Sequence, residues 1–120
     1  MVALDRGYSK NSGGAIENNG GDVKIENSAI IWCKSGVSGG GIYSNGGSVT
    51  LKNCSLLENT SGYGGAVATG HGATVNLLNC NLFQNKSNGG AIYNNGGHMS
   101  VIYCTIADNF VSKDSLLKVG

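Results

Sequence analysis

Seven carboxylates are the residues with which this chain could carry out acid–base chemistry. Acid–base cleavage of a glycosidic bond needs two carboxylates that face each other across that bond. A turn signal separates Glu17 from Asp22, and the equivalent residues one repeat later are the non-acidic Tyr43 and Ser48. We therefore expect a non-enzymatic protein without catalytic residues. The seven are Asp5, Glu17, Asp22, Glu26, Glu58, Asp108 and Asp114.

The cysteines and the two histidines lack the spacing of a metal site, because no Cys-x-x-Cys pair or Cys/His cluster occurs. Cys54, Cys80 and Cys104 recur about every 25 residues, so they share one position of a repeat, whereas Cys33 does not. Thiols stacked in this way behave as small apolar core residues. Neighbours in such a stack also lie within reach of a disulfide, so one bridge among the three stays open. We expect no metal and no cofactor.

Four aromatic residues, Trp32, Tyr43, Tyr63 and Tyr93, are candidate ligand contacts. Tyr43 and Tyr93 share a position predicted to point outward, while Trp32 and Tyr63 lie in a segment of variable length. Aromatic faces suit sugar rings or protein partners. Packing of these rings against neighbouring loops of the same chain is the alternative interpretation.

A Gly-Gly box that recurs four times sets the position of all these residues. The first glycines of successive boxes are about 25 residues apart, a period typical of solenoids. A second phrase of fixed length carries alternating apolar residues. The boxes are Gly13-Gly14-Ala15-Ile16, Gly39-Gly40-Gly41-Ile42, Gly64-Gly65-Ala66-Val67 and Gly89-Gly90-Ala91-Ile92, and the phrases run from Val23 to Ile30, Val49 to Leu56, Val75 to Leu82 and Met99 to Ile106.

This pattern predicts an all-β parallel β-helix with about 25 residues per coil, between four and five coils, and three short strands per coil. A leucine-rich repeat has a similar period, but its Leu-x-x-Leu-x-Leu consensus is missing from the sequence. The step from the end of each phrase to the next box shortens along the chain, from Ile30 to Leu56 to Leu82. Length variation in a solenoid collects in loops, often on the binding face.

One asparagine column is predicted to be a structural ladder. Asn27, Asn53 and Asn79 occupy the same position in successive coils, where each amide can donate to one neighbour and accept from the other. Tyr103 ends the column. We expect these amides to satisfy buried polar groups at a bend, so that Asn53→Ala would destabilise the fold by about 1–3 kcal/mol.

Charge and hydropathy exclude several partners. The net charge is +1 and neither sign forms a run, which disfavours nucleic acid and anionic membrane surfaces. The longest apolar stretch, residues 29–33, is too short to insert into a membrane, and residues 1–6 show no signal peptide. We expect residues 1–120 to form a single β-helix repeat domain that is a segment of a longer array, because recognisable caps are missing. Uncapped coils would permit end-to-end self-association.

The boxes, together with an apolar-x-x-Asn phrase before them, resemble the repeats of polymorphic outer membrane proteins of the chlamydial type. The phrase runs from Leu56 to Asn59, Leu82 to Asn85 and Ile106 to Asn109. That family carries Gly-Gly-Ala-Ile and Phe-x-x-Asn repeats on a right-handed β-helix that is exported and displayed as an adhesin. The resemblance covers residues from about 4 to 111, with Leu or Ile in place of Phe and Cys33 in place of one Asn.

The resemblance implies a right-handed β-helix, an extracellular or cell-surface location, and glycans or cell-surface proteins as partners. It implies a non-enzymatic role as an adhesin-like binding surface or a structural stalk. The alternative is a fragment of a β-helical polysaccharide lyase or glycoside hydrolase that lacks its catalytic coil.

Overall fold

A computed structural model describes residues 2–111, which form short strands that pair only in parallel. In chain order these are β1 (Ala3–Asp5), β2 (Tyr8–Ser9), β3 (Ile16–Asn18), β4 (Asp22–Glu26), β5 (Ala29–Ile31), β6 (Lys34–Ser35), β7 (Ile42–Ser44), β8 (Ser48–Lys52), β9 (Ser55–Leu57), β10 (Val67–Thr69), β11 (Thr74–Leu78), β12 (Asn81–Phe83), β13 (Lys86–Ser87), β14 (Ile92–Asn94), β15 (His98–Ile102), β16 (Thr105–Ala107) and β17 (Phe110–Val111). Within residues 2–111, no helix is long and apolar enough to cross a membrane.

Strands from successive coils stack into three wide sheets. The first sheet contains β3, β7, β10 and β14, the second β4, β8, β11 and β15, and the third β1, β5, β9, β12 and β16. In the second sheet Val23 pairs with Val49, Val49 with Val75 and Val75 with Met99, which gives about 25 residues per coil. The predicted parallel β-helix is therefore confirmed.

A fourth, narrow sheet adds to the three strands per coil that the sequence predicted. Strands β2 and β6 pair at one end of it and β13 and β17 at the other. Isolated bridges through Thr60 join the two halves. Each strand has only two residues, so its alternation is too short to be recognised in the sequence.

The core is a stack of apolar side chains from the inner faces of the three wide sheets. Val49 and Leu51 from the second sheet are fully buried, as are the residues above them, Val75 and Leu77. Burial of each such side chain contributes about 1.5–3 kcal/mol. Val101 continues the column of Leu51 and Leu77, but it is exposed, because only one neighbouring coil covers it among the described residues. The inward columns are those predicted from the fixed-length phrase.

The Gly-Gly box packs its backbone directly against the narrow sheet. A Cβ atom at Gly40 would lie 2.6 Å from the backbone nitrogen and oxygen of Thr60. Gly14 has the same relation to Lys34, with distances of 2.7 Å. Side chains at these box positions would therefore push the two backbones apart, which explains why the box requires glycine and how it fixes the narrow sheet.

Candidate binding surface

Two corners flank the third sheet, and each places one residue in the left-handed backbone region. Corner one joins the second sheet to the third, and corner two joins the third sheet to the narrow sheet. All of these residues have φ between 52° and 59°. A residue in this conformation breaks the strand alternation and turns the next side chain inward. The left-handed residues are Asn27, Asn53, Asn79 and Tyr103 at corner one and Arg6, Trp32, Glu58, Gln84 and Asp108 at corner two.

The predicted asparagine ladder lies at corner one. The Asn53 amide donates to Asn27 Oδ1 at 3.2 Å, and the Asn79 amide donates to Asn53 Oδ1 at 2.7 Å. All three side chains are exposed, so the expectation that they satisfy buried polar groups is wrong. The left-handed corner points them into solvent, whereas continued strand alternation after the buried Leu51 and exposed Lys52 would have turned Asn53 inward.

A second asparagine ladder is buried behind corner two. Asn85 donates from Nδ2 to the Leu56 carbonyl at 2.9 Å, and its Oδ1 accepts from the backbone nitrogen and the amide of Asn59, both at 3.0 Å. Asn109 makes the same contacts one coil later. The signal that could have found this ladder is the apolar-x-x-Asn phrase, which ends on these residues.

Cysteine thiols take the inward position behind corner one. The Cys80 thiol lies 3.4 Å from the Leu51 carbonyl, which is one coil earlier, and Cys54 and Cys104 repeat this contact. Cys33 fills the asparagine position behind corner two, where its sulfur accepts from Gly7 N at 3.3 Å. All four cysteines are free thiols. Burial raises the pKa of the Cys33 and Cys80 thiols.

Three of the four predicted aromatic contacts lie along the first sheet and the loop beside it, and we call Tyr43, Tyr63 and Tyr93 the tyrosine platform. The Tyr63 and Tyr93 ring centroids are 5.0 Å apart with a tilt of 34°. Tyr43 and Tyr93 flank Ala68 in register, and Ala68 is fully buried although its column points outward. A Cβ atom at Gly89 would lie 3.2 Å from Tyr93 and 3.3 Å from Tyr63, so glycine makes room for both rings.

Both interpretations of the tyrosine rings, as ligand contacts and as rings packed on neighbouring loops, agree with the tyrosine platform. Tyr63 and Tyr93 pack on each other, as expected for rings that contact neighbouring loops. Tyr63 nevertheless keeps 39% of its surface exposed. A packed ring with an open face is a rigid, amphipathic contact surface.

Trp32 lies at corner two, apart from the tyrosine ring pair. Its indole Nε1 donates to Glu58 Oε2 at 2.6 Å, and the Arg6 guanidinium carbon lies 4.6 Å from the ring centroid. Arg6 also forms an ion pair of 2.7 Å with Asp5. The indole is 47% exposed, so these contacts fix its orientation and leave much of it in solvent.

The carboxylates are dispersed over the surface. Asp22 accepts from the Ser48 hydroxyl at 2.5 Å, and Asp5 and Glu58 bind Arg6 and Trp32 as described. Within residues 2–111, no three His, Cys, Asp or Glu residues are grouped as metal ligands would be. Asp114 lies outside the described residues.

A family model of the right-handed β-helix region matches residues 6–112. The chain belongs to the right-handed β-helix family. The match confirms the predicted handedness and covers every strand from β2 to β17. No curated protein and no solved structure matches the right-handed β-helix of this chain.

One outward column of this right-handed β-helix was not predicted from the sequence. It runs along the narrow sheet through Tyr8, Lys34, Thr60, Lys86 and Phe110, which pair in register. Successive members are about 25 residues apart, as the period of the repeat requires. Alignment of the coils on the apolar-x-x-Asn phrase, instead of on the Gly-Gly box, would have revealed it. We call these five residues the lysine column.

Proposed function

We propose that this right-handed β-helix is a non-enzymatic segment of a secreted or cell-surface protein, and that its outer surface binds glycans or cell-surface proteins. The observation that carries the proposal is the Tyr63–Tyr93 pair, whose rings are 5.0 Å apart on an outward face. Each ring restricts the other, so little side-chain freedom is lost when a ligand binds. Rigid aromatic faces are suited to sugar rings and to protein hot spots.

The resemblance to polymorphic outer membrane protein repeats supports the surface location and the adhesive role. It rests on the Gly-Gly boxes and on the phrase that ends in Asn59, Asn85 and Asn109. The glycines pack against the narrow sheet and the asparagines form the buried ladder, so the shared motif is the one that positions the outer surface. Adhesive function on such a framework would depend on outward residues, which the motif leaves free to vary.

The arrangement of carboxylates supports a binding role over a cleaving one. The column that contains Asp22 continues through Ser48, Thr74 and His98, so stacking places no second carboxylate beside it. Glu58 is bonded to the Trp32 indole, which holds it away from a substrate proton. A general acid and its partner carboxylate would need to face each other across an open site.

Calorimetric titration of the chain with neutral and acidic polysaccharides tests the proposal. We expect saturable heat, and we expect Tyr63→Ala to weaken binding about tenfold because the ring face is lost. Tyr103→Ala is the matched control, since Tyr103 is an exposed tyrosine at corner one, away from the platform.

Three results would contradict the proposal. Steady heat from continuing turnover would favour the fragment of a polysaccharide lyase or hydrolase. Absence of heat with every ligand would remove the binding role and leave a structural stalk. An equal loss of affinity in Tyr63→Ala and Tyr103→Ala would remove the tyrosine platform from the site.

A further inference from the structure

The lysine column has a symmetrical order of side chains along the helix axis. An aromatic residue stands at each end, a lysine lies next to each aromatic residue, and Thr60 is in the centre. Neighbouring strands in a sheet are about 4.8 Å apart, so Lys34 and Lys86, which are two coils apart, are separated by about 9.6 Å along the axis. The whole column spans about 19 Å by the same spacing.

These side chains are available to a ligand. Tyr8 and Phe110 are 69% and 50% exposed, and both lysines are exposed. Within residues 2–111, the ion pair that forms joins Arg6 to Asp5, and neither lysine ammonium has a hydrogen bond or an acidic partner. Two cations without partners on one line are therefore free to bind anions.

The backbone beneath the column is held rigidly. The inward residues of the narrow sheet include buried serines whose hydroxyls donate to nearby carbonyls: Ser35 to Ser38 at 3.0 Å and Ser61 to Tyr63 at 2.7 Å. The glycines of the boxes press against the same backbone. A preorganised backbone lowers the entropy lost on binding, so even a few contacts can give measurable affinity.

We propose that the lysine column binds an acidic polysaccharide that lies along the helix axis and carries an acidic group on every second sugar. This inference rests on the proposed binding function and names its ligand class. The lysine separation is close to the length of a disaccharide in an extended chain, so each ammonium would meet one acidic group. Thr60 would bond the intervening neutral sugar, and Tyr8 and Phe110 would stack on sugar faces at the two ends.

The charge pattern favours a glycan over other polyanions. Phosphates of a nucleic-acid strand follow one another at about 3.4 Å along the axis, much closer than the two lysines. Recognition of an anionic membrane uses clusters of about 4–8 basic residues, whereas this column has two. A glycan with widely spaced acidic groups is the polymer whose charge spacing matches the separation of the two lysines.

The first experiment compares charge-matched variants by calorimetry. The probes are hyaluronan oligosaccharides, with a carboxylate on every second sugar, and oligogalacturonate, with one on every sugar. We expect Lys34→Gln/Lys86→Gln to weaken hyaluronan binding about tenfold. The control Lys24→Gln/Lys52→Gln removes the same charge from exposed lysines of the second sheet and should change affinity by less than about twofold.

A second variant tests the spacing while it keeps the net charge. Lys34→Gln/Thr60→Lys places the two cations one coil apart, at about 4.8 Å. We expect the preference to shift from hyaluronan towards oligogalacturonate. Thermal melting of each variant confirms that it is folded before binding is compared.

Several outcomes would overturn the inference. One is an equal loss of hyaluronan affinity in the Lys24/Lys52 control. Another is an unchanged preference for hyaluronan over oligogalacturonate in the spacing variant. The third is competition for hyaluronan binding by phosphatidylserine vesicles that is as strong as competition by hyaluronan itself. If neutral glycans bind through Tyr63 while acidic probes do not bind, this inference fails and the proposed function stands. If no glycan or protein ligand binds, both fail.

Discussion

At corner one the left-handed residue is asparagine in three coils, whereas at corner two the same backbone conformation is adopted by residues as different as Trp32 and Glu58. The inward position that follows the left-handed residue shows the opposite distribution of asparagine. Behind corner one it holds the thiols of Cys54 and Cys80, and behind corner two it holds a ladder of buried amides. The two corners therefore have the same backbone conformation, but the asparagine amides lie outside at corner one and inside at corner two.

This difference shows how one repeat can combine a rigid backbone with a variable surface. Asparagine adopts the left-handed region readily, while a residue such as Trp32 costs about 1–2 kcal/mol there. Corner two tolerates that cost because the Asn59 and Asn85 amides bond each coil to its neighbours from inside. The outward position is then free to carry aromatic and charged groups.

The largest effect is expected from the buried ladder of corner two. Asn85→Ala removes the bonds to the Leu56 carbonyl and to the Asn59 backbone nitrogen, and the buried Asn59 nitrogen then loses its acceptor. We expect a loss of about 3 kcal/mol in the free energy of unfolding, measured by urea denaturation. Asn45→Ala, in an exposed turn, should change it by less than about 0.5 kcal/mol. Similar urea midpoints for the two variants would contradict the assignment.

A smaller effect is expected from the exposed ladder of corner one. Water replaces the lost amide bonds of Asn53→Ala, so the remaining loss is the strain of alanine in the left-handed region, about 1 kcal/mol. Asn53→Gly should be close to the parent chain, since glycine adopts this conformation without strain. Thermal unfolding of the two variants separates the causes. If glycine destabilises as much as alanine, the amide bonds and not the backbone set the stability of this corner.

The smallest effect is expected from replacing Cys33, the thiol behind corner two, with asparagine, the residue that forms the buried ladder. Burial raises the pKa of Cys33, so the folded chain keeps a proton that the unfolded thiol, with a pKa of about 8.5, releases at higher pH. Stability therefore falls as the pH rises above the unfolded value towards the raised folded one. We expect Cys33→Asn to stay within about 1 kcal/mol of the parent at neutral pH and to lose less stability in alkali. Urea midpoints that decline with pH as steeply as in the parent chain would refute this.

The fold could be predicted from the sequence because the same pattern of apolar residues and glycines occurs in every coil. Each coil repeats the same alternating apolar phrase, and Val49 and Leu51 are buried as that phrase requires. Stacked coils need matching core residues at one position, so periodicity in the chain becomes a column in space. The narrow sheet was missed because two residues are too few to show alternation.

The candidate surface could be predicted only in part. The tyrosines were identified by type, but the sequence did not place Tyr63 beside Tyr93, which comes from the following coil. Two asparagine columns were visible, and the one expected to be buried proved to be exposed. The direction of a corner residue depends on a left-handed backbone angle, which spacing does not encode for residues such as Glu58.

The sequence by itself determined the period and the inward apolar columns, because these are local requirements that every coil repeats. Only the tertiary structure decided which asparagines face inward and which distant residues become neighbours, such as Trp32 with Glu58 and Lys34 with Thr60. The physical reason is that parallel stacking joins residues one coil apart, while the length of a coil is not constant along the chain. Register is therefore settled by the backbone pairing of whole coils.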